Sequence, residues 1–82
     1  MRLLTFGASW CPSCKELHRS IGNIRPILEI DYIDIDQQPT IAKRYQIIAV
    51  PTMVLIDEQG IAQKRLLGFH PLSKIRSWLN SQ

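Results

Sequence analysis

The spacing of apolar residues changes several times along the chain, and each change marks a predicted element. Leu3, Leu4 and Phe6 crowd into residues 2–6, which read as a short buried strand, and Gly7-Ala8-Ser9 reads as the loop after it. From Cys11 the spacing becomes helical. Cys14, Leu17, His18 and Ile21 follow the i, i+3, i+4, i+7 pattern of one face, and Pro12 suits a first turn, where a missing N–H costs nothing. Gly22-Asn23 and then Pro26 are the expected stop signals. Residues 28–36 are rich in β-branched and aromatic side chains that partly alternate with polar ones, and predict a second strand. A short helix over 37–45 would place Ile41, Ala42 and Tyr45 on one side. Residues 52–57, a turn at Glu58-Gln59-Gly60 and residues 61–67 predict an antiparallel hairpin. A last helix, from Pro71 to about Leu79, would bury Leu72, Ile75, Trp78 and Leu79.

The order β-α-β-α-β-β-α predicts an α/β domain over residues 1–82, with no repeat, low-complexity tract or linker to divide it. Its first two strands should be parallel neighbours, with the first helix across one face of the sheet. Such sheets bind ligands at the carboxyl ends of their parallel strands, which is where the first strand delivers Trp10 and Cys11.

Composition narrows the setting. The apolar content of 45% is that of an ordinary globular chain, and no apolar stretch is long enough to span a bilayer. The apolar region after Arg2 is too short for a secretion signal, so the chain reads as cytoplasmic and mature from Met1, and a monomer is the expected state. A net charge of +3 is modest, and among the basic residues only Lys43-Arg44 and Lys64-Arg65 are adjacent. That is the pattern of a solvated surface, and it argues against a nucleic-acid partner.

Chemistry is concentrated in Trp10-Cys11-Pro12-Ser13-Cys14-Lys15, which holds both cysteines of the chain with two residues between them where strand gives way to helix. A thiol at a helix N-terminus is activated by unpaired N–H groups and the positive end of the helix dipole, both of which favour the thiolate. A second thiol one turn further on can close a ring with it. Zinc would require further ligands, and His18 and His70 are too far apart in sequence to form the usual histidine pair. A structural disulfide closing so short a loop would remove little chain entropy. The spacing therefore predicts a redox dithiol that needs no metal or organic cofactor. A module carrying a soft metal, Cu(I) or Zn, is the alternative from another class.

Trp10-Cys11-Pro12-Ser13-Cys14-Lys15 resembles the W-C-x-x-C-K site of the thioredoxin superfamily. Ala49-Val50-Pro51-Thr52 is similar to the family's cis-proline segment, and Gly68 falls where a late glycine faces the active site. The resemblance implies a minimal thioredoxin fold, βαβαββα with a central four-stranded mixed sheet, lacking the family's usual first strand and helix. It implies a protein-disulfide reductase with Cys11 as attacking and Cys14 as resolving cysteine, and protein disulfides as substrates. It further implies substrate contacts at Trp10, Val50, Pro51 and Gly68, with Pro51 cis. Trp10, beside an exposed thiol, would form an apolar wall for a partner chain, and Lys15 would add positive potential. Thioredoxin reductase is the implied electron donor and glutathione, as in glutaredoxins, the alternative. Departures accompany the likeness. Pro12-Ser13 replaces the Gly-Pro of typical thioredoxins, and Gly7 stands where many carry a second tryptophan. Thr5 replaces the aspartate buried near the thiols, and Tyr32 replaces its lysine partner. His18, one turn after Cys14 on the same face, is then the nearest titratable candidate to assist resolution, though position alone supports that role and a histidine there more often only packs against the sheet or reaches outward.

Cys11 should carry the lower pKa, because dipole and N–H groups act most strongly at the first turn. Limiting iodoacetamide should label Cys11 of the reduced protein first, and Cys14→Ser should trap mixed disulfides with partners. Labelling of Cys14 first would reverse the two roles.

Overall fold

Strand β1 (Arg2–Gly7) runs up the middle of a four-stranded sheet of order β2-β1-β3-β4 in the computed structural model, which describes residues 1–22 and 28–81. The other elements are α1 (Pro12–Ile21), β2 (Glu29–Asp34), α2 (Pro39–Arg44), β3 (Thr52–Ile56), β4 (Ala62–Leu67) and α3 (Leu72–Asn80). This is the predicted order, with β1 parallel to β2, antiparallel to β3, and β3 antiparallel to β4. The stop signals at Asn23 and Pro26 lie outside the described residues, and Gly22 caps α1. No described helix is long and apolar enough to cross a membrane.

Leu3 to Gly7 are buried because β1 is hydrogen-bonded on both edges and covered on both faces. Alternation along the strand divides its side chains. Leu3 packs with Leu17 and Ile21 of α1, Ile75 of α3, and Ile30, Met53 and Leu55 of the neighbouring strands. Leu4 and Phe6 face the opposite way, with Ala42 and Tyr45 at α2, Ile33, Val54 and Ile56. The predicted amphipathic face of α1 therefore meets the sheet with Cys14, Leu17 and Ile21 buried and His18 half-buried.

Two expectations change at the margins. Strand β2 stops at Asp34 rather than continuing to residue 36, because the Asp34 carbonyl accepts the N–H groups of Gln37 and Gln38 and turns the chain toward α2. In α3 only Ile75 is fully buried. Leu72, Trp78 and Leu79 are half-buried, since the helix lies over the edge strand β4 and shares little of the sheet's interior. Lys64 of β4 anchors it there. Its ammonium donates to the carbonyls of Trp78 and Ser81 at the C-terminal end of the helix, and lies 5.3 Å from the centroid of the Trp78 ring.

The end of α2 directs the chain toward the cysteines. Gln46 adopts φ 56°, and its N–H and that of Ile47 reach back to the carbonyls of Lys43 and Ala42 at 3.1 and 3.0 Å. Arg65 Nη2 fixes the turn from β4 by donating to the Tyr45 carbonyl at 2.7 Å, while the Tyr45 hydroxyl donates to Gly60 at 2.6 Å. A left-handed backbone at Gln46 carries a steric cost that glycine would not. Gln46→Gly should therefore raise stability by up to about 1 kcal/mol, read as a higher urea midpoint; a lower midpoint would mean that the glutamine side chain holds the turn.

Candidate active site

Cys11 is the N-cap of α1. Its backbone is extended, with φ −107° and ψ 104°, and Pro12 occupies the first turn. The Cys11 sulfur accepts the N–H of Cys14 at 3.2 Å, and Ser13 Oγ lies 3.4 Å from it. A thiol is thus used where serine or aspartate usually caps, so one of the helix's free donors points at sulfur. Cys11 and Cys14 are joined as a disulfide with their Cα atoms 5.3 Å apart. Cys11 is less open than expected for an exposed thiol. It is 6% exposed and Cys14 1%, because Ala8, Ile35 and Val50 pack around the pair.

Three loops converge here. The β1–α1 loop is held by the Cys11 N–H donating to the Ala8 carbonyl at 3.1 Å. The β2–α2 turn is tied to β1 by the Ile35 N–H, which donates to the Gly7 carbonyl at 2.9 Å. The third precedes β3 and contains the cis Val50–Pro51 bond, with the Thr52 hydroxyl donating to the Ala49 carbonyl at 2.7 Å. Pro51 is buried, Val50 packs against the cysteines, and the Pro51 carbonyl accepts the Gly68 N–H at 2.8 Å. Gly68 has φ 84°, which disfavours any other residue, and a Cβ added to it would meet no heavy atom within 4 Å. That space is open.

Trp10 is 65% exposed, yet its indole N–H donates to Asp36 Oδ2 at 2.9 Å, which ties the ring to the turn after β2. Asp36 was not evident from sequence, because the turn that presents it depends on Asp34 Oδ1 accepting the Asp36 N–H at 2.8 Å. Ile48, 91% exposed two residues before Val50, and Phe69, exposed beside Gly68, were also missed. Their signal was available: large apolar side chains in loops that border the dithiol, with no place on a buried face. Lys15 is exposed, and His70 lies in the loop before α3 with its ring nitrogen 2.8 Å from the Leu67 carbonyl.

His18 is turned inward toward Cys14. A Cβ built on Gly7 would lie 3.3 Å from both Cys14 Sγ and His18 Nε2, so the two heteroatoms face one point beside β1. The His18 ring stacks at a tilt on Tyr32, centroids 4.5 Å apart, and burial holds its pKa below the ordinary imidazole value. Among the described residues no group of three or more histidine, cysteine or acidic side chains could hold a metal ion.

The sequence profile of the thioredoxin family matches residues 1–81. The chain is 33% identical over 73 residues to a thioredoxin of Mycolicibacterium smegmatis, spanning 80% of this chain and 63% of that protein. It is 33% identical over 70 residues to a bifunctional thioredoxin reductase/thioredoxin of Mycobacterium leprae, covering 80% of this chain and 15% of that protein. Its fold superposes on thioredoxin 1 from Thermosipho africanus with a TM-score of 0.80 at 24% identity, over 96% of this chain and 94% of the other.

A histidine whose folded pKa is depressed binds fewer protons than it does in the unfolded chain. Its contribution is thus present above the ordinary histidine pKa and lost as pH falls through the window below it. Glu58 is also depressed, by a backbone hydrogen bond first, but its window opens only in the carboxylate range. Urea midpoints measured from about pH 7.5 to about pH 5.5 should fall more steeply for the parent than for His18→Gln. Parallel profiles would remove His18 as the source.

Proposed function

The chain belongs to the thioredoxin family of thiol–disulfide oxidoreductases, and from that membership we propose that its Cys11–Cys14 pair reduces disulfides in protein partners. The observation that carries this reading is the Cys14 N–H directed at the Cys11 sulfur at the N-terminus of α1. In the reduced protein that donor, the helix dipole and the neighbouring Ser13 hydroxyl all favour a thiolate on Cys11. The thiolate attacks a substrate disulfide, forming a mixed disulfide and releasing one substrate thiolate. Cys14 then attacks Cys11, the second substrate sulfur leaves, and the Cys11–Cys14 disulfide remains. Two electrons pass from dithiol to substrate with no metal or organic cofactor in the path.

Recognition in this reading uses the open ground around the dithiol. The backbone next to cis Val50–Pro51 and the space in front of Gly68 accept an extended substrate strand, with Trp10, Ile48 and Phe69 as its apolar border. Pro12 stiffens the first turn, and Lys15 adds positive potential beside the attacking sulfur. Regeneration of the dithiol calls for a reductant, and we favour a flavoprotein reductase of the thioredoxin reductase type. The fused reductase and thioredoxin of the Mycobacterium leprae relative supports that choice. Leu66-Leu67-Gly68-Phe69-His70 also lacks the paired glycines and acidic residue with which glutaredoxins grip glutathione. A reducing compartment such as the cytoplasm suits this role.

The reading is tested with insulin and a small aryl disulfide as parallel substrates. The parent should accelerate the reduction of insulin by dithiothreitol and, once reduced and freed of dithiothreitol, should itself reduce the aryl disulfide, and Cys11→Ser should accelerate neither. Gly68→Phe should lose at least about tenfold on insulin while keeping most of its rate on the small reagent, since only the protein substrate needs the space before residue 68. Equal losses on both would place the damage in folding or in the thiols. Copurified metal with no insulin reduction would overturn the proposal in favour of a metal carrier.

A further inference from the structure

The second half of this cycle requires Cys14 to give up a proton in an enclosed place. Its side chain is 1% exposed, and burial in apolar surroundings opposes a thiolate. Strand β1 offers no charged group to accept that proton: Leu3, Thr5 and Gly7 are the residues it turns toward α1, and of these only Thr5 is polar. Among the described residues just two buried side-chain polar atoms have no hydrogen-bond partner, Thr5 Oγ1 and His18 Nε2. Both belong to this face. The nitrogen is the one placed, with Cys14 Sγ, 3.3 Å from the position of a Gly7 Cβ. A cleft of about 200 Å³ opens beside it, lined by Gly7, Cys14, Lys15, His18, Tyr32 and Asp34 among others.

We propose that His18 Nε2 is the proton acceptor for Cys14 in the resolving step, that Tyr32 positions its ring, and that the absence of a side chain at Gly7 makes room for both. The inference rests on the dithiol mechanism proposed above. In the mixed disulfide the Cys14 S–H proton moves to His18 Nε2, directly or through one water. The Cys14 thiolate attacks Cys11 Sγ, forming the Cys11–Cys14 bond as the bond from Cys11 to the substrate sulfur breaks. The electron pair of that bond leaves on the substrate thiolate, and the imidazolium passes its proton to that thiolate or to solvent through the cleft.

Several observations make the histidine suited to this. Packing on Tyr32, with centroids 4.5 Å apart, fixes the ring plane, and Tyr32 pairs with Thr5 in the β1–β2 register, directly across from the unpaired hydroxyl. Partial burial holds its pKa below the ordinary imidazole value, which favours the neutral form that can accept a proton. The titratable groups facing it are Cys14 and Lys15 from its own helix and Tyr32 and Asp34 from β2, with none from β1. Asp34 Oδ1 already accepts the N–H groups of Asp36 and Gln37. A Cβ at Gly7 would stand 3.1 Å from Cys14 Cβ as well as 3.3 Å from Nε2, so a side chain there would displace the ring or the helix.

The two sulfur steps separate when the reduced protein reacts with one equivalent of dithiobisnitrobenzoate. Attack by Cys11 releases a first thionitrobenzoate, and resolution by Cys14 releases a second; Cys14→Ser should show the first phase alone. For the parent, the second phase should stay nearly level from about pH 8 to about pH 6.5, whereas in His18→Gln it should fall with the thiolate fraction, becoming at least about tenfold slower than the parent at the lower end. His18→Glu has the shape of the glutamine variant but restores a base, and should recover the second phase to within about threefold of the parent. Glutamine and glutamate variants that behave alike, whether both fast or both slow, would overturn the role of His18 and leave it to packing. Absence of the first phase in the parent would instead overturn the dithiol reading itself.

Discussion

Enclosure of β1 on both edges and both faces is the constraint on which the rest of the structure depends. The strand takes a parallel neighbour on one side and an antiparallel one on the other, so its backbone groups are satisfied within the sheet. Its two rows of side chains then nucleate separate apolar layers, Leu3 beneath α1 and α3, and Leu4 with Phe6 beside α2. Because both layers close on one strand, the carboxyl end of that strand is held from all sides. Cys11, four residues beyond Gly7, inherits the rigidity.

That rigidity is what allows so small a site to place several weak effects on two sulfur atoms. The cap geometry of Cys11 turns a helix donor toward the sulfur, and the cis Val50–Pro51 segment, tied to β4 through the Gly68 N–H, forms the opposite wall. None of these groups is strongly charged. Their effect comes from orientation in a partly enclosed environment, where a fixed dipole is screened less than it would be in water. The side chains left open to solvent, Trp10, Ile48 and Phe69, lie in the loops that the core positions and do not themselves stabilise it.

The inward face of α1 combines packing and chemistry on one surface. Leu17 and Ile21 are wholly buried, and Cys14 and His18 continue the same stripe toward the helix N-terminus, where the sheet offers Gly7 instead of a large side chain. An apolar stripe that ends against a glycine leaves a gap, and here the gap is bordered by a thiol, an imidazole and a tyrosine ring. A Cβ at Gly7 would come within 3.3 Å of His18 Nε2, so the missing side chain leaves the imidazole its place on this face.

Element order, the parallel first pair of strands and the position of the dithiol were legible in the sequence, because local periodicity and the short Cys11–Cys14 spacing are properties of neighbouring residues. The buried stripe of α1 could be read for the same reason. Local pattern could not show that Leu72, Trp78 and Leu79 would be only half-buried, since that depends on α3 lying over an edge strand. Nor could it show that Asp36 would hold the Trp10 indole or that Arg65 would brace the end of α2, contacts that join residues distant along the chain. The direction His18 faces depends on three elements meeting: a helix that places the ring on its sheet-facing side, a strand with no side chain at Gly7, and Tyr32 on the neighbouring strand packed against the imidazole. Sequence determines which groups are present and how they repeat along each element. Which of them share a desolvated space, and therefore which can act on one another, is set only when the elements pack.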